Sequence, residues 1–122
     1  MANLVNGWVD DDLSALVEVE LTNGARFVCE VDTGFHGSLM LPVAWVQDAQ
    51  LQLAGQEFWK GADGREFKSE TAVAEVSWLG DEFLAEIVVS DAGFALLGNE
   101  MLIDAALHID YAGRTVTIEK FY

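Results

Sequence analysis

The chain has 122 residues, 52% of them hydrophobic, which predicts one folded domain over residues 1–122. Six lysines and arginines stand against 21 aspartates and glutamates, giving a formal net charge of −15. A surface this acidic repels phosphate groups, which argues against nucleic acid and anionic membranes as partners. Solubility is the simplest explanation for the acidity. Two copies that associate must overcome their mutual repulsion, which salt would screen.

The single cysteine, Cys29, excludes an internal disulfide bond. It lies in an apolar, strand-like run, which indicates a buried and unreactive thiol. The first twelve residues contain no basic segment and no apolar run as long as that of a signal peptide. No stretch of the sequence approaches the length of a transmembrane span. We therefore expect a soluble cytoplasmic protein.

The first half of the sequence predicts short strands and one helix. Valine and leucine alternate with glutamate over residues 14–21, which is the pattern of a half-buried strand. An Asn-Gly pair at residues 23–24 is a strong hairpin signal, and an apolar return strand follows over residues 26–31. A short apolar strand over residues 38–42 leads into a helix over residues 42–50, since proline is tolerated in a first helical turn.

The second half predicts a longer series of strands separated by turns. Strands are expected over residues 56–60, 65–78, 83–89, 94–97, 108–111 and 115–121. The longest has Val73 and Val76 as its best core candidates, although the alternation slips there, as it does at a bulge. Asn99 is suited to cap a second helix over residues 100–107. Many short strands with one or two short helices indicate a mainly β domain.

No group of residues has the spacing of a metal site. His36 and His108 lie far apart, and the only cysteine is in a predicted strand, which argues against zinc. The acidic run at residues 10–12 lacks the alternating ligands and closing glutamate of a calcium loop. We expect neither a metal nor a cofactor.

The triplet Asp32-Thr33-Gly34 is the motif that points to chemistry. Alone it is a weak signal, because aspartate and glycine both favour tight turns. Its context strengthens it. The triplet ends an apolar strand, and much farther along the chain a second apolar strand ends in Leu97-Gly98.

With the triplet in the first segment and Leu97-Gly98 in the second, residues 27–34 and 95–109 resemble the retropepsin-like half of the aspartic proteases. In those proteins an apolar strand leads to Asp-Thr/Ser-Gly, and a later strand ending in glycine threads beside it before a helix. The likeness is greatest to small prokaryotic single-lobed members whose triplet continues into phenylalanine, here Phe35. It extends over about residues 16–118. It implies a closed retropepsin-like β-barrel and a hydrolase, with Leu97 and Gly98 as structural residues near the site.

Peptide hydrolysis needs an activated water and a proton donor, and two carboxylates that share one proton supply both. Asp32 would be the catalytic carboxylate. Thr33 offers a hydroxyl to hold the loop, and Gly34 leaves room for a backbone amide. The chain has one such triplet and is too short for two lobes, so the second aspartate must come from a second chain. This predicts an aspartic endopeptidase that acts as a homodimer on peptides or unfolded protein segments.

The resemblance also implies a flap, a dimer sheet and substrate subsites. The flap would be a hairpin over residues 57–67, and the dimer sheet would be built from residues 4–8 and 116–122. The subsite candidates beside the triplet and on the flap are Phe35, His36, Trp59, Ala62 and Asp63, and Phe58 is a further flap residue that could face substrate. Phe35 is larger than the residue that usually follows the triplet. It leaves an alternative open, a non-catalytic module that grips an extended peptide by strand addition.

Overall fold

The computed structural model describes residues 3–121 and, within that range, every side chain except those of Trp59 and Phe67. The elements in chain order are β1 (Leu4–Val9), β2 (Ala15–Leu21), β3 (Arg26–Val31), β4 (Leu39–Pro42), α1 (Val43–Asp48), β5 (Gln52–Lys60), β6 (Glu66–Trp78), β7 (Asp81–Ser90), β8 (Ala95–Leu97), a 3-10 turn (Asn99–Leu102), β9 (Ala105–Asp110) and β10 (Thr115–Lys120). No helix in this range is long and apolar enough to span a membrane.

Six of the strands close into a barrel. They follow the order β6, β7, β4, β8, β3 and β2, and β2 returns to β6 through the pairs Glu20↔Ser77 and Leu21↔Val76. β3 runs parallel to β8, and β4 runs parallel to β7 but antiparallel to β8. The prediction of a closed, mainly β barrel is confirmed.

The alternation in β2 places its apolar side chains in the barrel core. Val17, Val19 and Leu21 are almost completely buried, whereas Glu18 and Glu20 face solvent and pair with Arg26 on β3. Each buried aliphatic side chain contributes about 1.5–3 kcal/mol through the apolar surface that it removes from water. The hydrophobic period of two therefore selects both the strand and the face that it buries.

Of the two core residues predicted in β6, one is buried and the other is exposed. Val76 is fully buried, but Val73 is 38% exposed, because Ala72, Ala74 and Val76 alternate towards the core. The irregularity in this region lies on the partner strand β5, where the register shifts between Leu53 and Gly55.

The first predicted helix is present and the second is not. α1 begins after Pro42 and ends before Gln50, whose φ of 56° turns the chain out of the helix. The helix predicted over residues 100–107 is wrong, because a 3-10 turn ends at Leu102 and β9 begins at Ala105.

The physical reason is the pairing of this segment with β10. Residues 105–110 pair with residues 115–120 along their whole length, and Ala105, Leu107 and Ile109 pack against the core. These contacts outweigh the local preference for helix. The predicted capping role of Asn99 is also wrong, since the turn has no side-chain cap.

The terminal strands pair with each other inside one chain. β1 pairs with β10 from Leu4↔Glu119 to Trp8↔Thr115, and β9 covers the other edge of β10. Gly7 lets β1 cross close to β2, because a Cβ there would overlap the carbonyl of Leu16. In the described part of the chain β9 is the last strand of the sheet. The contribution of residues 4–8 and 116–122 to a dimer sheet stays a prediction, and residue 122 lies outside the described range.

Candidate active site

The loop after β3 folds back on the carboxylate of Asp32. The backbone amide of Asp32 donates to the carbonyl of Leu97 at 2.9 Å, so the loop starts beside the end of β8. The amide of Gly34 donates to Asp32 Oδ1 at 2.9 Å, and the amide of Phe35 donates to the carbonyl of Asp32 at 3.1 Å. Asp32 is half-buried, whereas Thr33 and Gly34 are exposed. One carboxylate oxygen is therefore held by the loop itself.

Residues 98 and 99, here called the strap, follow β8 and hold this loop in place through hydrogen bonds. The amide of Gly98 donates to the carbonyl of Ser38 at 2.8 Å, and the amide of Asn99 donates to that of Phe35 at 2.9 Å. A Cβ on Gly98 would overlap the carbonyl oxygen of Gly37. The structure thus places Gly98 where the strap and the Asp32 loop touch through their backbones.

The side chain of Asn99 contacts the Asp32 loop, which the sequence did not reveal. Its Nδ2 lies 2.8 Å from Nδ1 of His36 and 3.5 Å from the carbonyl oxygen of Thr33. It therefore ties the strap to the loop by a side-chain contact as well. No local pattern signals this role, because it depends on bringing together residues that are far apart in the chain.

Phe35 occupies space that two glycines leave free. A Cβ on Gly37 would lie 2.6 Å from Cζ of Phe35, and a Cβ on Gly98 would lie 2.7 Å from its Cδ2. The ring is half-buried between them, and it also lines the cleft beside Asp32. The loop accommodates this large residue by packing it against its own backbone.

A cleft of about 510 Å³ opens beside Asp32. Its lining comes from the Asp32 loop, the strands β4, β5, β7 and β8 and the 3-10 turn: Asp32, Gly34, Phe35, His36, Gly37, Ser38, Met40, Glu57, Lys60, Glu86, Val88, Leu96 and Glu100. The cleft therefore combines an apolar part with several carboxylates.

The hairpin of β5 and β6 contains the predicted flap segment, residues 57–67, and its strand β5 lines one side of the cleft. The role of this hairpin as a flap stays a prediction. The hairpin pairs from Gln52↔Val73 to Lys60↔Glu66, and its turn is closed by the amide of Gly61, which donates to the carbonyl of Arg65 at 2.9 Å. Glu57 and Lys60 line the cleft from this hairpin.

The predicted subsite residues divide into two groups. Phe35 and His36 line the cleft, whereas Ala62 and Asp63 lie at the hairpin tip and outside the lining, where Asp63 pairs with Arg65 at 3.3 Å. Phe58 is 67% exposed and is not part of the lining. The side chain of Trp59 is outside the described part of the structure. Contact of these hairpin residues with substrate stays a prediction.

The carboxylates of the cleft influence one another. A hydrogen bond with Glu86 raises the pKa of Glu57, and partial burial and the negative charges of Glu86 and Glu100 raise it further. The sequence did not single out these three glutamates, because they are ordinary members of a large acidic surplus until the fold brings them together. Among the described residues no group of three or more His, Cys, Asp or Glu side chains is arranged to hold a metal ion.

No family model matches this chain. No curated protein matches it in sequence. Solved structures are similar in fold. A retropepsin-like aspartic protease from Rickettsia conorii matches with a TM-score of 0.70 and 18% identity, over 96% of this chain and 90% of that one. The EIAV protease in complex with the inhibitor HBY-793 matches with a TM-score of 0.62 and 16% identity, over 78% and 90%.

The simian foamy virus protease is a third match, with a TM-score of 0.52 and 18% identity, over 72% of this chain and 91% of that one. At this level of identity the similarity establishes the fold. The chain therefore has the fold of the retropepsin-like aspartic proteases, and the resemblance seen in the sequence is confirmed at that level.

Proposed function

We propose that this chain is an aspartic endopeptidase that acts as a homodimer, with Asp32 of each chain contributing one carboxylate. The observation that carries the proposal is the placement of Asp32. Its carboxylate is held by the amide of Gly34 in an Asp-Thr-Gly loop, and it lines a cleft beside the β5–β6 hairpin. The retropepsin-like fold of the chain supports the same activity.

The chemistry accounts for the second chain. A carboxylate takes a proton from the attacking water, while a carboxylic acid protonates the carbonyl oxygen of the scissile peptide. One aspartate cannot be in both states at once, so two must meet and share a proton. Asp32 is the one aspartate in an Asp-Thr-Gly or Asp-Ser-Gly triplet of this chain. A symmetric pair of chains brings two copies of the same loop together on its axis.

The exposure of the loop is compatible with such a pairing. Thr33 and Gly34 are exposed in the single chain, and Asp32 is only half-buried. A second copy that covers this loop would remove water from around the two carboxylates and bring the Thr33 hydroxyls close to the neighbouring loop. The formal charge of −15 on each chain opposes association, so salt should favour the active form.

The test of the activity is cleavage of a reduced, alkylated protein substrate between about pH 3 and 7, the range in which carboxyl pairs titrate. Wild type should cut it, and Asp32→Asn should not. Asp12→Asn is the matched control, because it makes the same change at an exposed loop position outside the cleft. Equal cleavage by wild type and Asp32→Asn would refute the proposal. Stable binding of an uncut peptide by wild type would favour the non-catalytic module.

A further inference from the structure

Three glutamates from separate elements line the same cleft. Glu57 comes from β5, Glu86 from β7 and Glu100 from the 3-10 turn. The carboxyl groups of Glu57 and Glu86 lie close enough to share a hydrogen bond when one of them is protonated, and the negative charges of Glu86 and Glu100 both act on Glu57. Negative charge is therefore concentrated around one cavity, beyond that of Asp32 itself.

Within the described residues these glutamates form no ion pair with a basic side chain. The ion pairs there join Arg26 to Glu18 and Glu20, Arg65 to Asp63, Arg114 to Asp11, and Lys120 to Asp81. Lys60 lines the cleft without pairing with Glu57, Glu86 or Glu100. Like charges held close together without an ion-paired counter-charge are unfavourable, and a second cation that enters the cavity relieves their repulsion.

The same cavity has an apolar part next to these carboxylates. Met40 on β4 stands opposite Val88 on β7 and opposite Leu96 on β8, so the three form a continuous row across adjacent strands. Glu86 precedes Val88 by two residues on the same strand and therefore lies on the same face. A side chain that extends along this row ends beside a carboxylate.

We propose that the cleft selects peptides that carry a lysine or arginine side chain, with the apolar stem on Met40, Val88 and Leu96 and the cationic head among the three glutamates. Lysine and arginine combine a long apolar stem with a charged end, which fits a cavity with these two kinds of lining. An apolar side chain would gain nothing from these exposed carboxylates, and an acidic one would be repelled by them. The inference rests on the proposed function, because it names the substrate class of the same site.

The test measures binding rather than cleavage, so that it stands even if the chain is not a protease. The protein is the Asp32→Asn variant. The probes are three fluorescein-labelled decapeptides that differ only at a central lysine, norleucine or glutamate, with binding followed by fluorescence anisotropy at fixed salt. Norleucine keeps the stem without the charge. We expect the lysine peptide to bind at least about fivefold more tightly than the norleucine peptide, and the glutamate peptide to bind most weakly.

A second substitution separates the cavity from the general acidity of the protein. Glu86→Gln in the Asp32→Asn background should reduce the preference for lysine over norleucine to less than about twofold. Glu82→Gln removes the same charge from the same strand, but outside the cleft, and should leave the preference intact. Circular dichroism should show that both variants are folded. Equal binding of the lysine and norleucine peptides, or equal loss of preference in the two glutamine variants, would overturn the inference.

Failure of the proposed function gives a different result. One outcome is that wild type does not cut any protein but Asp32→Asn still binds the lysine peptide preferentially through Glu86. The proposed selection of a cationic side chain is then supported, and the proposed protease activity is refuted. If wild type cuts, mapping its cleavage sites by mass spectrometry provides a second readout. We expect lysine or arginine within a few residues of most cuts, and a random distribution of cuts around basic residues would contradict the inference.

Discussion

Gly98 and Gly37 meet so closely that a Cβ at residue 98 would overlap the carbonyl oxygen of residue 37 and lie 2.7 Å from the ring of Phe35. This contact joins the strap after β8 to the loop that carries Asp32. The amides of Gly98 and Asn99 complete the junction by donating to the carbonyls of Ser38 and Phe35. The position of the carboxylate thus depends on the absence of one side chain.

Gly98→Ala should destabilise the protein, because the backbone of Gly37 cannot move away without breaking these hydrogen bonds. Overpacking of this kind costs about 1–3 kcal/mol. The free energy of unfolding, measured by urea titration, should fall by that amount. Gly93→Ala is the control, since a Cβ at Gly93 meets no atom within 4 Å. Equal stability of the two variants would show that the strap and the loop are not in contact in solution.

Asn99→Ala should impair activity more than stability. Its amide group contacts His36 and the carbonyl of Thr33, so its loss frees the loop while the barrel stays intact. A hydrogen bond of this kind contributes about 1 kcal/mol, and kcat/KM for peptide cleavage should fall about fivefold. Asn23→Ala is the comparison, because Asn23 also holds a loop through its side chain, but in the β2–β3 turn. It should lower stability and leave kcat/KM of the folded protein unchanged.

The pKa of Glu57 should depend on Glu86. In the folded protein the pKa of Glu57 lies above its ordinary value of 4.5, with the hydrogen bond to Glu86 as the largest cause. Titration of the Glu57 side-chain carboxyl by NMR should show this, and Glu86→Gln should move the pKa back towards 4.5. Glu82→Gln should not change it.

The raised pKa of Glu57 makes the stability of the protein depend on pH. A raised folded-state pKa means that this contribution to stability is fully present below about pH 4.5 and is lost as the pH rises through the folded-state pKa. The loss should be smaller in Glu86→Gln than in wild type when unfolding is measured from pH 4.5 upwards. A steeper loss in the variant would contradict the proposed interaction.

The thiol of Cys29 should be unreactive in the native state. It is fully buried in the barrel, and burial raises the pKa of its thiol to about 12. Since the thiolate is the reactive form, Ellman's reagent at about pH 8 should react only as fast as the protein unfolds. Addition of urea should release one thiol per chain. Rapid reaction of the native protein would show that this part of the barrel opens readily.

The strands that lead to Asp32 were predictable because their signals are local, whereas the closed barrel was expected from the family resemblance. Alternation over β2, an Asn-Gly turn and an apolar strand before Asp32 each depend on neighbouring residues. The residues around Asp32 were harder to find. Asn99 reaches His36, and Glu57 reaches Glu86, only because the fold brings distant strands together. Nothing near these residues in the sequence indicates those contacts.

The segment at residues 105–110 shows the same limit for secondary structure. Its composition suits a helix, but its neighbours in space are the residues of β10 and the core. Long-range pairing decides the conformation there. Val73 is a second case, because a strand in which alanines face the core and a valine faces outwards cannot be read from hydrophobicity alone.

In the proposed enzyme two copies of Asp32, from two chains, form one active site. The most direct measurement is peptide cleavage by mixtures of wild type and Asp32→Asn at constant total chain concentration, after the chains have exchanged. If both aspartates are required and the chains pair at random, an equal mixture should keep about one quarter of the wild-type activity. Retention of about one half, with activity proportional to the wild-type fraction at every ratio, would show that each chain acts alone and would contradict the account.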